Sequence, residues 1–251
     1  MQKQWKIFLT ALMFYTRIPV GRISSWNEDL LNKSTRFFPL VGWIVGAVTA
    51  FVFWTAIQFL PVSISVLVCI IAGILLTGAF HEDGFADFCD GFGGGYTPER
   101  ILEIMKDSRI GTYGTIGLLM MLGTKFFALS NVEIGRIPFL LITAHALSRI
   151  FPVLLIYTSA YARLDASSKT KPVGKADTVT SLLVALLFGL LPLVFLSWKE
   201  IVLVLFTLSA LTFFFREYVI RKLGGYTGDV LGALQQLCEL VFYIVILGLQ
   251  F

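Results

Sequence analysis

The 251 residues are 57% hydrophobic and only 14% charged, with a mean hydropathy of +0.82 and a formal net charge of +4. A soluble domain carries about 25% charged residues, so this composition excludes an ordinary water-surrounded core and calls for lipid as a second apolar solvent. Nucleic acid is excluded as the reason for the basic charge, because the Lys and Arg residues gather on one side of the apolar segments.

In chain order, the N-terminal stretch from Lys3 and Lys6 to Tyr15 is apolar but short. Arg17 interrupts it and no small-x-small cleavage site follows, so it is expected to be retained as an interfacial amphipathic helix. Seven apolar runs then follow, near 37–59, 62–80, 113–130, 137–160, 179–197, 201–215 and 230–249. Each is continuous rather than alternating, which points to helices and not barrel strands. The expected fold is all-α, a polytopic transmembrane helical bundle of about seven spans forming one domain over 1–251.

Lys3, Lys6, Arg17, Arg22, Lys33 and Arg36 precede the first span. Arg100, Lys106 and Arg109, then Arg163, Lys169, Lys171 and Lys175, then Arg216, Arg221 and Lys222 fall in alternate loops. The opposite loops hold Arg136 and Lys199 alone. This bias predicts a cytoplasmic N-terminus, a cytoplasmic segment 1–36 and a cytoplasmic catalytic loop 81–112 in a multi-pass inner-membrane protein. Cys69 and Cys238 read as small buried hydrophobes, Cys89 stands among acids, and the three show no disulfide or zinc pattern.

The segment His81-Glu82-Asp83-Gly84-Phe85-Ala86-Asp87-Phe88-Cys89-Asp90-Gly91-Phe92-Gly93-Gly94-Gly95 carries the chemistry. Asp83, Asp87 and Asp90 at i, i+4 and i+7 fall within about 60° of one helix face. Like charges so close resist joint ionisation unless a divalent cation neutralises them. Oxygen-only ligands favour Mg²⁺ or Mn²⁺, and Mg²⁺ shares its shell with phosphate oxygens, which implies a phosphate or pyrophosphate substrate. Glu82 is a further candidate ligand, although its position turns it away from the triad. His81 is a candidate proton acceptor, with a structural role as the alternative. Gly93 and Gly94 can bring amides to a phosphate or simply stop the helix.

Downstream, Arg100, Lys106, Asp107, Ser108 and Arg109 form a second polar stretch. Lys106 and Arg109, three apart, can share a helix face and clamp phosphoryl oxygens. A third stretch, Gly224-Gly225-Tyr226-Thr227-Gly228-Asp229, offers Thr227 and Asp229 to a phosphate or metal. Lys125, Arg149 and Glu239 lie inside spans, where charge is costly and usually paired. A Lys125–Glu239 or an Arg149–Glu239 pair is expected.

These three blocks, with Thr16-Arg17-Ile18-Pro19 and Phe38-Pro39-Leu40-Val41-Gly42, resemble the cobalamin synthase family, adenosylcobinamide-GDP ribazoletransferase. The resemblance touches nearly the whole chain. It implies a Mg²⁺-dependent transferase that joins adenosylcobinamide-GDP to α-ribazole or its 5′-phosphate, releasing GMP. It also implies membrane lipid as surroundings, and leaves room for self-association or association with other corrinoid-pathway enzymes. Carried onto this sequence, Asp83, Asp87 and Asp90 hold the metal, with Asp87 or His81 as base, and Lys106 and Arg109 offset phosphate charge. The run Asp83-Gly84-Phe85-Ala86-Asp87 is also similar to the CDP-alcohol phosphotransferases, so another membrane diphosphate transferase, including a prenyltransferase, is the first rival. A cation-coupled transporter is the second, and it would place its acids near the bilayer midplane.

Overall fold

The computed structural model describes residues 2–21, 28–162 and 175–250, so Arg22, Arg163, Lys169 and Lys171 lie outside the described residues. The N-terminal helix α1 (Gln2–Tyr15) buries Ile7, Ala11 and Tyr15 at four-residue spacing and leaves Trp5 and Met13 exposed, as an amphipathic interfacial helix should. A short α2 (Glu28–Ser34) runs through a 3-10 turn into α3 (Phe38–Ala56), whose Pro39 sits in the first turn where its missing N–H costs nothing.

Helix α3 packs along α8 (Ile137–Leu147). Gly42 and Gly46 make the contact: a Cβ on Gly42 would stand 2.3 Å from the His145 carbonyl oxygen, and one on Gly46 2.6 Å from the Ile142 Cα. Small residues four apart let two membrane helices touch backbone to backbone. Gly46→Leu should therefore cost at least about 1–3 kcal/mol and lower the yield of monodisperse protein. Gly123→Leu, with nothing within 4 Å, should be tolerated in the same size-exclusion measurement.

Helix α4 (Val62–Thr77) ends at two successive left-handed residues, Gly78 (φ 69°) and Ala79 (φ 57°), and α5 (Phe80–Gly94) leaves at 89° to it. The second apolar run was expected to continue to Phe80, but the helix stops at Thr77. The acidic segment is thus set across the end of the bundle instead of prolonging a span. A short α6 (Pro98–Ile104) leads to α7 (Thr112–Ser130), then α8 and α9 (Ile150–Thr158). After these come α10 (Val179–Leu190), α11 (Trp198–Leu223) and α12 (Gly228–Gly248).

Among the described residues, five helical stretches are long and apolar enough to cross a membrane: Asp29–Ala56, Thr112–Ser130, Ile134–Thr158, Trp198–Leu223 and Gly228–Gly248. Val62–Thr77 and Phe80–Gly94 pass the same test only together, as a pair bent by 89°, and Val179–Phe195 is a shorter apolar helix. Each of the seven expected runs thus has a helical counterpart. The run expected at 201–215 is a 26-residue helix, since a Ser197–Glu200 capping box starts it earlier and Arg216-Glu217 continue it past the apolar stretch. Over 18 residues of Ile134–Thr158, 83% are buried, so this stretch forms the centre, whereas over 18 residues of Trp198–Leu223 only 22% are. The outward side chains of α11, such as Val202, Phe206 and Phe214, are exposed apolar surface suited to lipid.

One end of the bundle collects the polar loops. There the Arg17 N–H donates to the Leu76 carbonyl (2.8 Å), Arg36 pairs with Asp177 (2.7 Å), and Tyr226 exchanges backbone bonds with Ala160 and Ala162. At the opposite end Arg136 pairs with Glu200 (2.6 Å).

Candidate active site

Helix α5 lies at the polar end and crosses the start of α12. The crossing is close because Gly84 faces backbone: a Cβ there would stand 3.1 Å from Asp229 Cα and carbonyl oxygen, while Gly232 faces the His81 carbonyl. Asp83, in the first turn of α5, is exposed, and Asp87, one turn further, is half-buried. Thr227 caps α12, its hydroxyl accepting from the Val230 N–H (3.3 Å) and lying 3.4 Å from Asp229 Oδ2. Two stretches separated by well over a hundred residues therefore meet where Asp83 and Asp87 flank Gly84.

Asp90, further along the same helix, has both carboxylate oxygens engaged. Its Oδ2 accepts from the Gly111 N–H (2.7 Å) and its Oδ1 from the Gly114 N–H (2.8 Å), so both oxygens hold the start of α7. A carboxylate is at home there, where unpaired amides and the helix dipole are both positive. Among the described residues, no three His, Cys, Asp or Glu side chains stand close enough to share one ion. Asp83 and Asp87 stand one turn apart on α5, and two carboxylates suffice for Mg²⁺ when phosphate and water complete its shell.

Asp90 also borders an open cavity of about 610 Å³, with Gly94, Arg100, Glu103, Asp107, Arg109 and Tyr113 around it. Gly93 stands beside this wall, tight against the Tyr113 ring, which would sit 2.6 Å from a Cβ. Arg100 is exposed and pairs with Glu103 (2.7 Å), and Arg109 reaches Asp107 with Nη2 at 2.7 Å and Nε at 3.1 Å. These hydrogen bonds from Arg109 pull the Asp107 carboxyl down to about 2. Lys106 and Arg109 do not share a helix face as expected. Helix α6 ends at Ile104, and the Asp107 side chain takes the Arg109 N–H (3.1 Å), a local bond that competes with helix continuation. Lys106 and Ser108 are exposed and do not line the cavity.

His81 and Glu82 turn into the bundle. His81 is buried and stacks on Phe38 at 5.5 Å, and Glu82 Oε1 accepts from Gln236 Nε2 (3.1 Å). Glu82 thus lies away from Asp83 and Asp87, on the inner face of α5. Of the two expected intramembrane pairs the structure holds Lys125–Glu239, at 2.8 Å, with Gln236 at 2.5 Å from the same ammonium. The role of Gln236 was missed in the sequence. Two adjacent glutamines inside an apolar run were the available signal, since buried amides seek partners.

The profile of the family described as Cobalamin-5-phosphate synthase matches residues 7–247. The chain is 42% identical over 249 residues to a protein named adenosylcobinamide-GDP ribazoletransferase from Shewanella sp. (strain W3-18-1), covering 98% of this chain and 95% of that one. It is 41% identical over 253 residues to the protein of that name from Leptospira interrogans serogroup Icterohaemorrhagiae serovar copenhageni (strain Fiocruz L1-130), covering 97% and 96% respectively. No solved structure matches. A full-length match at this identity, on a multi-pass helical bundle whose polar end gathers the motif residues, means that the chain belongs to the cobalamin-5-phosphate synthase family of transferases.

Proposed function

We propose that the protein joins adenosylcobinamide-GDP to α-ribazole, or to its 5′-phosphate, and releases GMP, at the cytoplasmic face of the cell inner membrane. The observation that carries this reading is the α5–α12 crossing, which presents Asp83 and Asp87 at the polar end, on the helix whose far end opens on the 610 Å³ cavity with its two arginines. The names of the relatives supply the substrates. The orientation follows from Lys3, Lys6, Arg17, Arg36, Arg100, Lys106 and Arg109 at that same end.

In the reaction, a free ribose hydroxyl of the ribazole, other than the 5′-hydroxyl that the 5′-phosphate occupies, forms a bond to the corrinoid-side phosphorus as the bond from that phosphorus to the GMP oxygen breaks. Transfers of this kind ask a protein mainly for positioning and charge neutralisation. Mg²⁺, when bound, supplies Lewis-acid stabilisation of phosphate charge, and Asp83 and Asp87 would hold it. Arg100 and Arg109 face the leaving nucleotide from the cavity wall and offset its charge. Asp87, one turn from Asp83, would accept the hydroxyl proton. Thr227 and Asp229 fix the start of α12 against this surface.

The Asp107 carboxyl sits below its usual 3.8. Its pairing with Arg109 is therefore complete above about pH 4 and weakens only as pH falls toward 2. Asp107→Asn should accordingly leave the acid limb of the pH–rate profile in place, and a shifted limb would assign that limb to Asp107. The reading itself is tested with purified protein, adenosylcobinamide-GDP and labelled α-ribazole. Label should enter the corrinoid with one GMP per transfer; label in lipid and none in corrinoid would favour a lipid transferase.

A further inference from the structure

Behind the acidic helix lies a small chamber that the reaction above does not use. It has a volume of about 30 Å³ and is walled by α4, α5, α7, α8 and α12. Among the described residues, seven buried side-chain N or O atoms find no hydrogen-bond partner, and five of them belong to residues lining this chamber. They are His81 Nε2, Glu82 Oε2, His145 Nδ1, Arg149 Nε and the Tyr243 hydroxyl. His145 Nδ1 stands 3.3 Å from Glu239 Oε2 without a hydrogen bond. His81, Arg149 and Tyr243 are 2%, 1% and 1% exposed, so neither lipid nor bulk water reaches them.

The neighbouring polar groups are already satisfied. Lys125 donates to Gln236 and Glu239, and Gln235 Nε2 donates to Ser148 Oγ (3.0 Å) and Glu239 Oε2 (2.8 Å). What remains unpaired is mixed: Glu82 Oε2 only accepts, Arg149 Nε only donates, and the imidazoles and the phenol can do either. The formal charges of Lys125 and Arg149 balance those of Glu82 and Glu239. An ion of either sign would satisfy some of these atoms and repel others, whereas water both donates and accepts. The volume suits about two waters, at roughly 10–15 Å³ each.

We propose that the chamber binds a pair of ordered waters, which tie His81 and Glu82, the residues just before Asp83, to Arg149, His145 and Tyr243. Glu82 and Tyr243 are then positioning residues that touch no substrate and hold the first turn of α5 in place. This second part rests on the proposed function; the waters do not.

X-ray radiolytic labelling of the purified full-length protein in ¹⁸O water tests both. Hydroxyl radicals born from waters in the chamber should label Tyr243 and His81 several-fold above Phe242, which is equally buried but does not line it. Labelling of Tyr243 and His81 no greater than that of Phe242 would overturn the water site. So would Tyr243 labelling that sodium or potassium chloride suppresses, since an ion would then be the occupant. Glu82→Leu should lower Tyr243 labelling several-fold; if that variant does not fold, Tyr243→Phe should lower His81 labelling instead. For positioning, Glu82→Gln should reduce kcat several-fold with KM unchanged and retain more activity than Glu82→Ala. Equal kcat in wild type and Glu82→Ala would remove the positioning role. A wild type that labels but transfers nothing would sink the proposed function and leave the waters standing.

Discussion

Asp83→Ala and Asp87→Ala should each lower GMP release by about 10²-fold or more at saturating Mg²⁺, with the protein still folded in the membrane. Removing one preorganised group that stabilises transition-state charge typically costs that much, and each of these carboxylates supplies half of the charge available to hold a divalent ion. Both side chains face outward or are half-buried, so their loss leaves no cavity in the bundle. Asp90→Ala should behave differently. Its carboxylate holds the Gly111 and Gly114 amides, so its loss resembles loss of a helix cap, about 0.5–2 kcal/mol of stability. A kinetic and thermal-shift comparison of the three alanine variants checks this. Asp83→Ala or Asp87→Ala with full turnover would remove that residue from the site. An Asp90→Ala variant as stable as wild type would deny Asp90 its capping role.

Lys125→Ala and Glu239→Ala should each destabilise the protein by about 3–5 kcal/mol, because each leaves its partner's charge buried and unpaired. Lys125 and Glu239 are 4% and 5% exposed and stand 2.8 Å apart on α7 and α12. Glu239 also takes Gln235 (2.8 Å), so its loss frees more than one group. Lys125→Glu with Glu239→Lys should recover part of the loss, measured as the midpoint of thermal aggregation in one detergent. A double variant no more stable than the worse single one would show that the pair matters only through its wider network.

The seven apolar runs and the helical face of Asp83 and Asp87 were legible in the sequence because they depend on hydropathy and a fixed helical period, both local. The destiny of Asp90 was not, since the amides that claim it lie 21 and 24 residues away. The 89° break was hidden as well. Gly78 hinted at it, but Ala79 is an ordinary helix former that tertiary packing holds in a left-handed conformation. The loop at Lys106–Arg109 was read as helix because spacing alone cannot see the Asp107 side chain capturing the Arg109 amide. Helix α11 outran its apolar stretch because hydropathy marks where lipid lies, not where helical hydrogen bonding ends. The meeting of Gly84 with Asp229 is a long-range contact, and the sequence showed its two halves without their juxtaposition.

Equilibrium binding of Mn²⁺, followed by electron paramagnetic resonance in the presence of adenosylcobinamide-GDP, bears most directly on the claim that Asp83 and Asp87 together hold the catalytic ion. The result expected is saturable binding by wild type that Mg²⁺ displaces, retained in Asp90→Asn and lost in the Asp83→Asn, Asp87→Asn double variant. Equal binding by wild type and the double variant would contradict the assignment.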